Sequence, residues 1–247
     1  MPLGNRTIPM STENHPNHDS LLALFQLIDT FFPTGAFAHS FGLETYVQDG
    51  QVTDRDTFEE LLRSILHHGM RNMDATAVVL AYKAAHANDI ERVAILDARL
   101  TALKLPRESR EGSIKIGKQF LRNALRLFIE RNAKMLEVYE QRIRLGECAG
   151  HHSIAHGLVM AVASIDLPLS LLGYLHAYVV SQVSAAVRLI PLGATEGQLI
   201  IQSIRPDLLE IVAFAQKAEM EDLGCFTPGL DIRSMQHERL YSRLFIS

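Results

Sequence analysis

The sequence has few cysteines and no paired-cysteine motif. Cys148 and Cys225 are its two cysteines, and they lie far apart with no CxxC pair. This spacing suggests neither a disulfide framework nor a thiolate zinc site. Because unpaired cysteines are typical of a reducing compartment, we expect a cytoplasmic protein.

An excess of positive charge is also lacking. The chain has 24 Lys and Arg against 28 Asp and Glu, a formal net charge of −4. Without a general positive charge to neutralise phosphates, we expect no nucleic-acid partner. The one stretch nearly long enough to span a bilayer is 169–190, and it contains His176, Gln182 and Arg188, which are costly in lipid. We therefore predict a buried core helix there and no membrane association.

The common motifs of nucleotide binding and catalysis are absent. The sequence has no GxxxxGK[ST] phosphate loop, no GxGxxG fingerprint, no GxSxG elbow and no HExxH helix. The chain should therefore bind no nucleotide itself. A hydrolase built on this sequence would have to be unconventional.

The hydrophobic pattern is helical along most of the chain. Apolar residues recur at helical spacing, as in the run from Leu61 to Met70, while alternating runs rich in β-branched residues are scarce. Glycine and proline interrupt the pattern at several points. We predict an all-α, single-domain bundle of roughly eight to ten helices.

Three segments differ in composition. Residues 1–20 mix Pro, Asn, Ser and His without an apolar core, which predicts a disordered leader. No break within 21–230 is long enough for a linker, so this range is predicted to be one helical domain. Residues 231–247 follow the breaker-rich 224–229 and are too apolar for a solvated terminus. We expect this C-terminal tail either to pack on its own domain as a final helix or to become ordered on a partner.

Histidine is the one catalytic residue type in good supply. His152 and His156 lie four apart and share one face if the segment is helical. The pair is a weak candidate for a metal site, and it supports the alternative of a metal-dependent helical hydrolase. Because three or four ligands are usually needed, ordinary histidines near a helix start are the more frequent explanation.

A row of basic residues has the spacing of one helix face. Lys115, Lys118, Arg122 and Arg126 follow each other at intervals of three and four residues. The row could dock an acidic partner, although most such rows are simply solvated faces. A helical nucleic-acid binder would use the same residues, but the acidic balance of the chain argues against it.

Four ordered segments resemble the UreF family. Residues 33–44 read PTGAFAHSFGLE, which is similar to the family pattern P-x-G-x-[FY]-x-H-S-x-G-L-E. The segments 107–117, 184–198 and 231–245 resemble three further family motifs in the same order, and the last of them matches almost letter for letter. Four ordered motifs across 21–247 are far more specific than any one alone.

The resemblance implies an all-α homodimer and an accessory chaperone rather than an enzyme. Such a protein bridges UreD, called UreH in some organisms, and the GTPase UreG, with nickel passing towards apo-urease. The complex would handle the nickel, and the chain would bind no cofactor tightly.

Partner binding is assigned to the first and last of these segments and to Arg188. The polar residues of 33–44 lie among glycines, which suits a partner face, so we expect His39→Ala with Glu44→Ala to leave the fold intact. Arg188 precedes Pro191 and is expected to bind carbonyls at a helix end. The predicted partner-binding residues are Pro33, Gly35, Phe37, His39, Ser40, Gly42, Leu43, Glu44, Arg188, Met235, His237, Glu238, Tyr241, Arg243, Leu244 and Phe245.

Overall fold

The computed structural model describes residues 18–128 and 133–247, and these residues form helices without a strand. The α-helices are α1 (His18–Ile28), α2 (Leu43–Gln48), α3 (Arg55–Ser64), α4 (Thr76–His86), α5 (Ile90–Leu103), α6 (Arg107–Leu127), α7 (Lys134–Leu145), α8 (His152–Val162), α9 (Leu167–Leu189), α10 (Ala194–Ser203), α11 (Arg205–Ala215) and α12 (Pro228–His237). Two short 3₁₀ turns, Ala36–Ala38 and Met220–Asp222, lie between α-helices.

The predicted all-α fold is confirmed. A π-helical stretch, Ile65–Ala75, joins α3 to α4, so the described residues contain eleven continuous helices, close to the predicted eight to ten. Residues 1–17 of the predicted leader lie outside the described residues, and 18–20 already belong to α1.

Local chemistry accounts for the start of the longest continuous helix. Asp54 precedes α3 in an extended conformation, and its carboxylate accepts a hydrogen bond from the Thr57 amide at 3.0 Å. The Thr57 hydroxyl in turn lies 3.2 Å from the Asp54 amide. This reciprocal pair satisfies amides that a helix start leaves without intrahelical partners.

The core has two hydrophobic halves that meet at α4. One half is built mainly from α3, α9, α10 and α11, and the other mainly from α5, α6, α7 and α8. Val78 and Val79 of α4 belong to the first half, while Leu80 and Ala81 belong to the second. The helix α8 crosses α4 closely at Gly157, where a Cβ atom would lie 2.4 Å from the Val78 carbonyl oxygen. Only glycine fits this crossing.

No helix within the described ranges is long and apolar enough to cross a membrane. The predicted core helix at 169–190 corresponds to α9, whose buried residues include Leu175, Val179 and Gln182.

Candidate functional site

The C-terminal segment, residues 228–247, packs against the segment 37–44. It consists of α12 followed by a non-helical stretch, 238–247. Proline at the start of α12 places the helix boundary at Pro228, three residues before the predicted tail, because proline suits the first helical turn. Of the two expected arrangements, the structure shows the tail packed on its own domain, although its last ten residues are not helical.

Glu44 is the centre of a buried polar cluster that holds the C-terminal segment. The side chain of Glu44 is 3% exposed, and its two oxygens accept hydrogen bonds from the amides of Leu244 at 2.7 Å and Phe245 at 3.1 Å. Nε2 of His237 lies 3.0 Å from Glu44, and Nδ1 of the same ring lies 2.7 Å from Glu108 on α6. One buried carboxylate therefore anchors both α12 and the stretch that follows it.

Glu108 extends this cluster to the molecular surface. Its second oxygen accepts a hydrogen bond from the Arg243 guanidinium at 2.8 Å. The neighbouring Arg107 forms an ion pair with Glu238, also at 2.8 Å. The start of α6 thus binds the C-terminal segment through two arginine–glutamate pairs and through the contact of Glu108 with His237.

A second set of hydrogen bonds holds the backbone of Ser247. Its carbonyl oxygen accepts from the amides of Ser40 at 2.6 Å and Phe41 at 2.9 Å, and from the Ser40 hydroxyl at 2.8 Å. Its hydroxyl lies 2.7 Å from Nδ1 of His39. Phe41 and Gly42 have φ values of +51° and +93°, and this left-handed turn lies between the extended residue His39 and α2.

Gly42 also permits the close approach of α12. A Cβ atom at this position would lie 2.7 Å from Oγ of Ser234. The positive φ of Gly42 would in addition strain any residue with a side chain. Two independent constraints therefore explain this glycine in the segment 33–44.

Arg188 closes the site from the end of α9. Its Nε donates to the Ser184 carbonyl and its Nη2 to the Phe37 carbonyl, both at 3.1 Å. The guanidinium lies 3.9 Å from the centre of the Phe37 ring and 4.3 Å from that of Phe245. Arg188 thus binds one carbonyl within α9 and one in the 3₁₀ turn Ala36–Ala38, and it joins the segment 33–44 to the segment 231–245.

The predicted site residues fall into a buried group and an exposed group. The buried residues contact other parts of the same chain and are His39, Ser40, Gly42, Leu43, Glu44, His237 and Phe245. The exposed residues are Pro33, Gly35, Phe37, Arg188, Met235, Tyr241, Arg243 and Leu244. Glu238 lies between these classes. A partner can reach only the exposed group in this conformation, and the buried contacts of Glu44 now lead us to expect that its removal damages the fold.

All four segments that carry the resemblance contribute to this site. Glu108 comes from 107–117 and Arg188 from 184–198, alongside the first and last segments. Sequence reasoning missed Glu108 and Ser247 as individual site residues. The shared family pattern was the available signal for Glu108, because a charged helix start by itself is common.

Arg188→Leu is expected to lower the free energy of unfolding by about 1 kcal/mol, because two hydrogen bonds to carbonyls and two ring contacts are lost. Arg188→Lys should lose nearly as much, since an ammonium group cannot reproduce the planar stacking. Urea unfolding measures both variants, with Arg205→Leu on exposed α11 as the matched control. Equal midpoints for Arg188→Leu and the control would contradict this role.

The histidine pair lies in the interior rather than at the surface. His156 is 2% exposed, and its Nε2–H donates to the Ser170 carbonyl at 2.9 Å. His152 is half-buried and borders a partly open pocket of about 230 Å³, which is also lined by Asp74 and Lys104. Burial lowers the pKa of His152 to about 4 and that of His156 to about 3. Both rings are therefore neutral at physiological pH.

The histidine pair does not gain the further ligands that a metal ion needs. No cluster of three or more His, Cys, Asp or Glu side chains suited to a metal ion occurs in the ranges 18–128 and 133–247. The two rings instead contact each other and Tyr174, with centroids 5.1 to 6.2 Å apart. This arrangement resembles aromatic core packing.

Comparison with known proteins identifies the class. The UreF family model matches residues 52–205. The urease accessory protein UreF of Bacillus sp. (strain TB-90) is 36% identical over 227 residues, covering 92% of this chain and 99% of the relative. The corresponding proteins of Lachnoclostridium phytofermentans and Kocuria rhizophila are 37% and 35% identical, covering 92% and 94% of this chain and 98% and 99% of theirs.

These matches define a urease accessory protein rather than an enzyme, which sets aside the metal-dependent hydrolase. The chain belongs to the UreF family.

Proposed function

We propose that the protein is a urease maturation chaperone that bridges UreD/UreH and the GTPase UreG while nickel is delivered to apo-urease. The homodimeric state, the cytoplasmic location and the handling of nickel by the whole complex belong to the same proposal. Membership of a family of urease accessory proteins supports the general role, and the resemblance of the four segments supports the particular partners.

The observation that carries the proposal is the outer face of the C-terminal segment. Its inner contacts are satisfied by Glu44, Glu108 and Ser40, but its outer side presents large apolar groups. These exposed residues are Ile232, Met235, Tyr241, Leu244 and Ile246. Tyr241 is fully exposed. A concentration of apolar side chains on a well-anchored surface is typical of a protein interface.

The anchoring also suits a binding role. Arg243 is held by Glu108, and the amides of residues 244–246 donate to the Glu44 carboxylate and to the Ala38 carbonyl. Fixed side chains lose less conformational freedom when a partner binds. We therefore infer that this face, hereafter the outer tail face, docks UreD while the inner side stays on its own domain.

Tyr241→Ala combined with Leu244→Ala is expected to weaken UreD binding at least tenfold and to reduce urease activation in proportion. Both side chains point away from the domain, so the melting temperature should stay close to that of the wild type. Leu145→Ala is the matched control, because Leu145 is an exposed apolar residue at the end of α7 and lies outside the C-terminal segment. Binding can be measured with immobilised UreD. If the double variant still binds UreD with wild-type affinity, the outer tail face is not part of the UreD interface.

A further inference from the structure

The basic row predicted from the sequence lies on the outer face of α6. Lys115, Arg122 and Arg126 are exposed, and Lys118 is half-buried. The opposite face of the helix enters the core and includes Ile116, Phe120, Leu121 and Ala124. All four cations therefore share one side of a helix whose other side is fixed.

None of these four cations forms an ion pair or hydrogen bond with another described residue. Several other cations are paired. Arg107 at the start of the same helix pairs with Glu111 and Glu238, and Arg142 on α7 pairs with Glu91. Because the chain as a whole is acidic, the uncompensated row is a local feature rather than part of a general positive charge.

An exposed aromatic ring lies on the segment 29–34, which contacts the same helix. The Asn123 amide donates to the Pro33 carbonyl at 2.9 Å, which holds the segment 29–34 against α6 one residue from Arg122. Phe32 turns inward and packs on Phe120, with ring centroids 5.4 Å apart. Phe31 next to it is 93% exposed. Arginine and large aromatic side chains together are the residues that most often dominate protein interfaces.

We propose that the basic row with Phe31 is a docking surface for an acidic protein surface, distinct from the outer tail face. The row from Lys115 to Arg126 is about 17 Å long. Its charges follow at intervals of about one helical turn, which matches carboxylates carried on a partner helix with the same spacing. Four cations on an acidic chain fit such a partner better than a long polyanion. The phosphates of a polyanion that extend beyond the row would lie against a chain of net negative charge.

The proposal rests on the proposed function, because the acidic partner is taken to be a protein of the urease assembly. The row runs away from the polar cluster along the same helix: Gly112 lies against His39, and the row begins one turn later. One partner could therefore bind the outer tail face while another binds the row. This arrangement would suit a protein that joins two others.

The test compares two pairs of charge reversals. Lys115→Glu with Arg122→Glu alters the row, and Arg205→Glu with Lys217→Glu alters two exposed cations at α11. Both pairs lower the net charge equally. Binding of purified UreG, UreD and apo-urease is measured separately at about 50 and 300 mM salt. We expect the row pair to weaken the binding of one of these proteins at least tenfold at low salt. The affinity for that protein should also depend less on salt than it does in the wild type. The control pair should change binding less than threefold.

Phe31→Ala supplies an independent readout. It should weaken binding of the same protein without altering the salt dependence of that binding, because it removes contact area rather than charge. A 20-nucleotide single strand and phosphatidylserine vesicles serve as the non-protein polyanions. Wild-type affinity of the row pair for all three proteins overturns this proposal while leaving the proposed function intact. Row-dependent binding to the oligonucleotide or the vesicles alone also overturns it. A wild type that binds none of the three proteins overturns both proposals.

Discussion

Glu44→Ala should lower the free energy of unfolding by about 3 kcal/mol, the largest expected effect of a single substitution at the site. The change leaves two backbone amides and the His237 ring without the buried carboxylate that they contact. Each buried donor that loses its partner costs about 1–3 kcal/mol. The losses are partly shared, because the C-terminal segment can move outward and hydrate its amides.

Urea unfolding and hydrogen exchange together test this expectation. The amides of Leu244 and Phe245 should lose protection in Glu44→Ala, while those of α4 in the core should keep it. Glu60→Ala, an exposed glutamate on α3, is the control and should change stability by less than about 0.5 kcal/mol. Protected tail amides together with an unchanged unfolding midpoint would show that Glu44 does not anchor the segment.

Mild acid should destabilise the protein through its interior histidines. Burial holds the pKa of His152 at about 4 and that of His156 at about 3, and the ordinary value is 6.5. Below pH 6.5 the unfolded chain therefore binds protons at these histidines that the folded chain does not bind. The stability from these neutral rings is fully present above pH 6.5 and is lost as the pH falls towards the folded values. Burial also lowers the pKa of His151, to about 4, which acts in the same direction.

The free energy of unfolding is expected to fall by about 4 kcal/mol between pH 6.5 and 4.5 for His152 and His156 together. One pH unit changes this free energy by up to about 1.4 kcal/mol for each proton that only the unfolded chain binds. Urea midpoints at pH 7.5, 6.5, 5.5 and 4.5 measure it. His156→Leu removes one titrating group and should clearly reduce the slope below pH 6.5, whatever its effect at pH 7.5. A slope that is the same in His156→Leu and the wild type would show that this ring is not the source.

The sequence was sufficient to predict the class of fold but not the contacts of the site. Helical periodicity depends on neighbours three and four residues apart, so it correctly placed His152 and His156 on one helix. It could not show that both rings lie in the interior. The proline at the start of α12 was visible in the sequence and would have placed that boundary more closely than the composition did.

The polar residues of 33–44 show why the site itself was harder to predict. Glu44 and His39 are unusual in a core helix, and a partner face was a reasonable explanation from local sequence alone. Their actual partners, His237 and Ser247, are separated from them by 193 and 208 positions. No local pattern encodes such a pairing. The four resembling segments identified the right parts of the chain without indicating that they meet.

The contacts of Ser40 and Glu44 with residues 244–247 have a topological consequence, because they close about 200 residues into a ring. Closing a ring of this size costs entropy before any contact is gained, so it follows the assembly of the helices between its ends. In the reverse direction, release of the stretch 238–247 removes Phe245 from the first half of the core, while His237 still holds α12 on Glu44. A partial opening that starts from the chain end therefore begins at the place where the four characteristic segments meet, and it separates only the last of the contacts that close the ring.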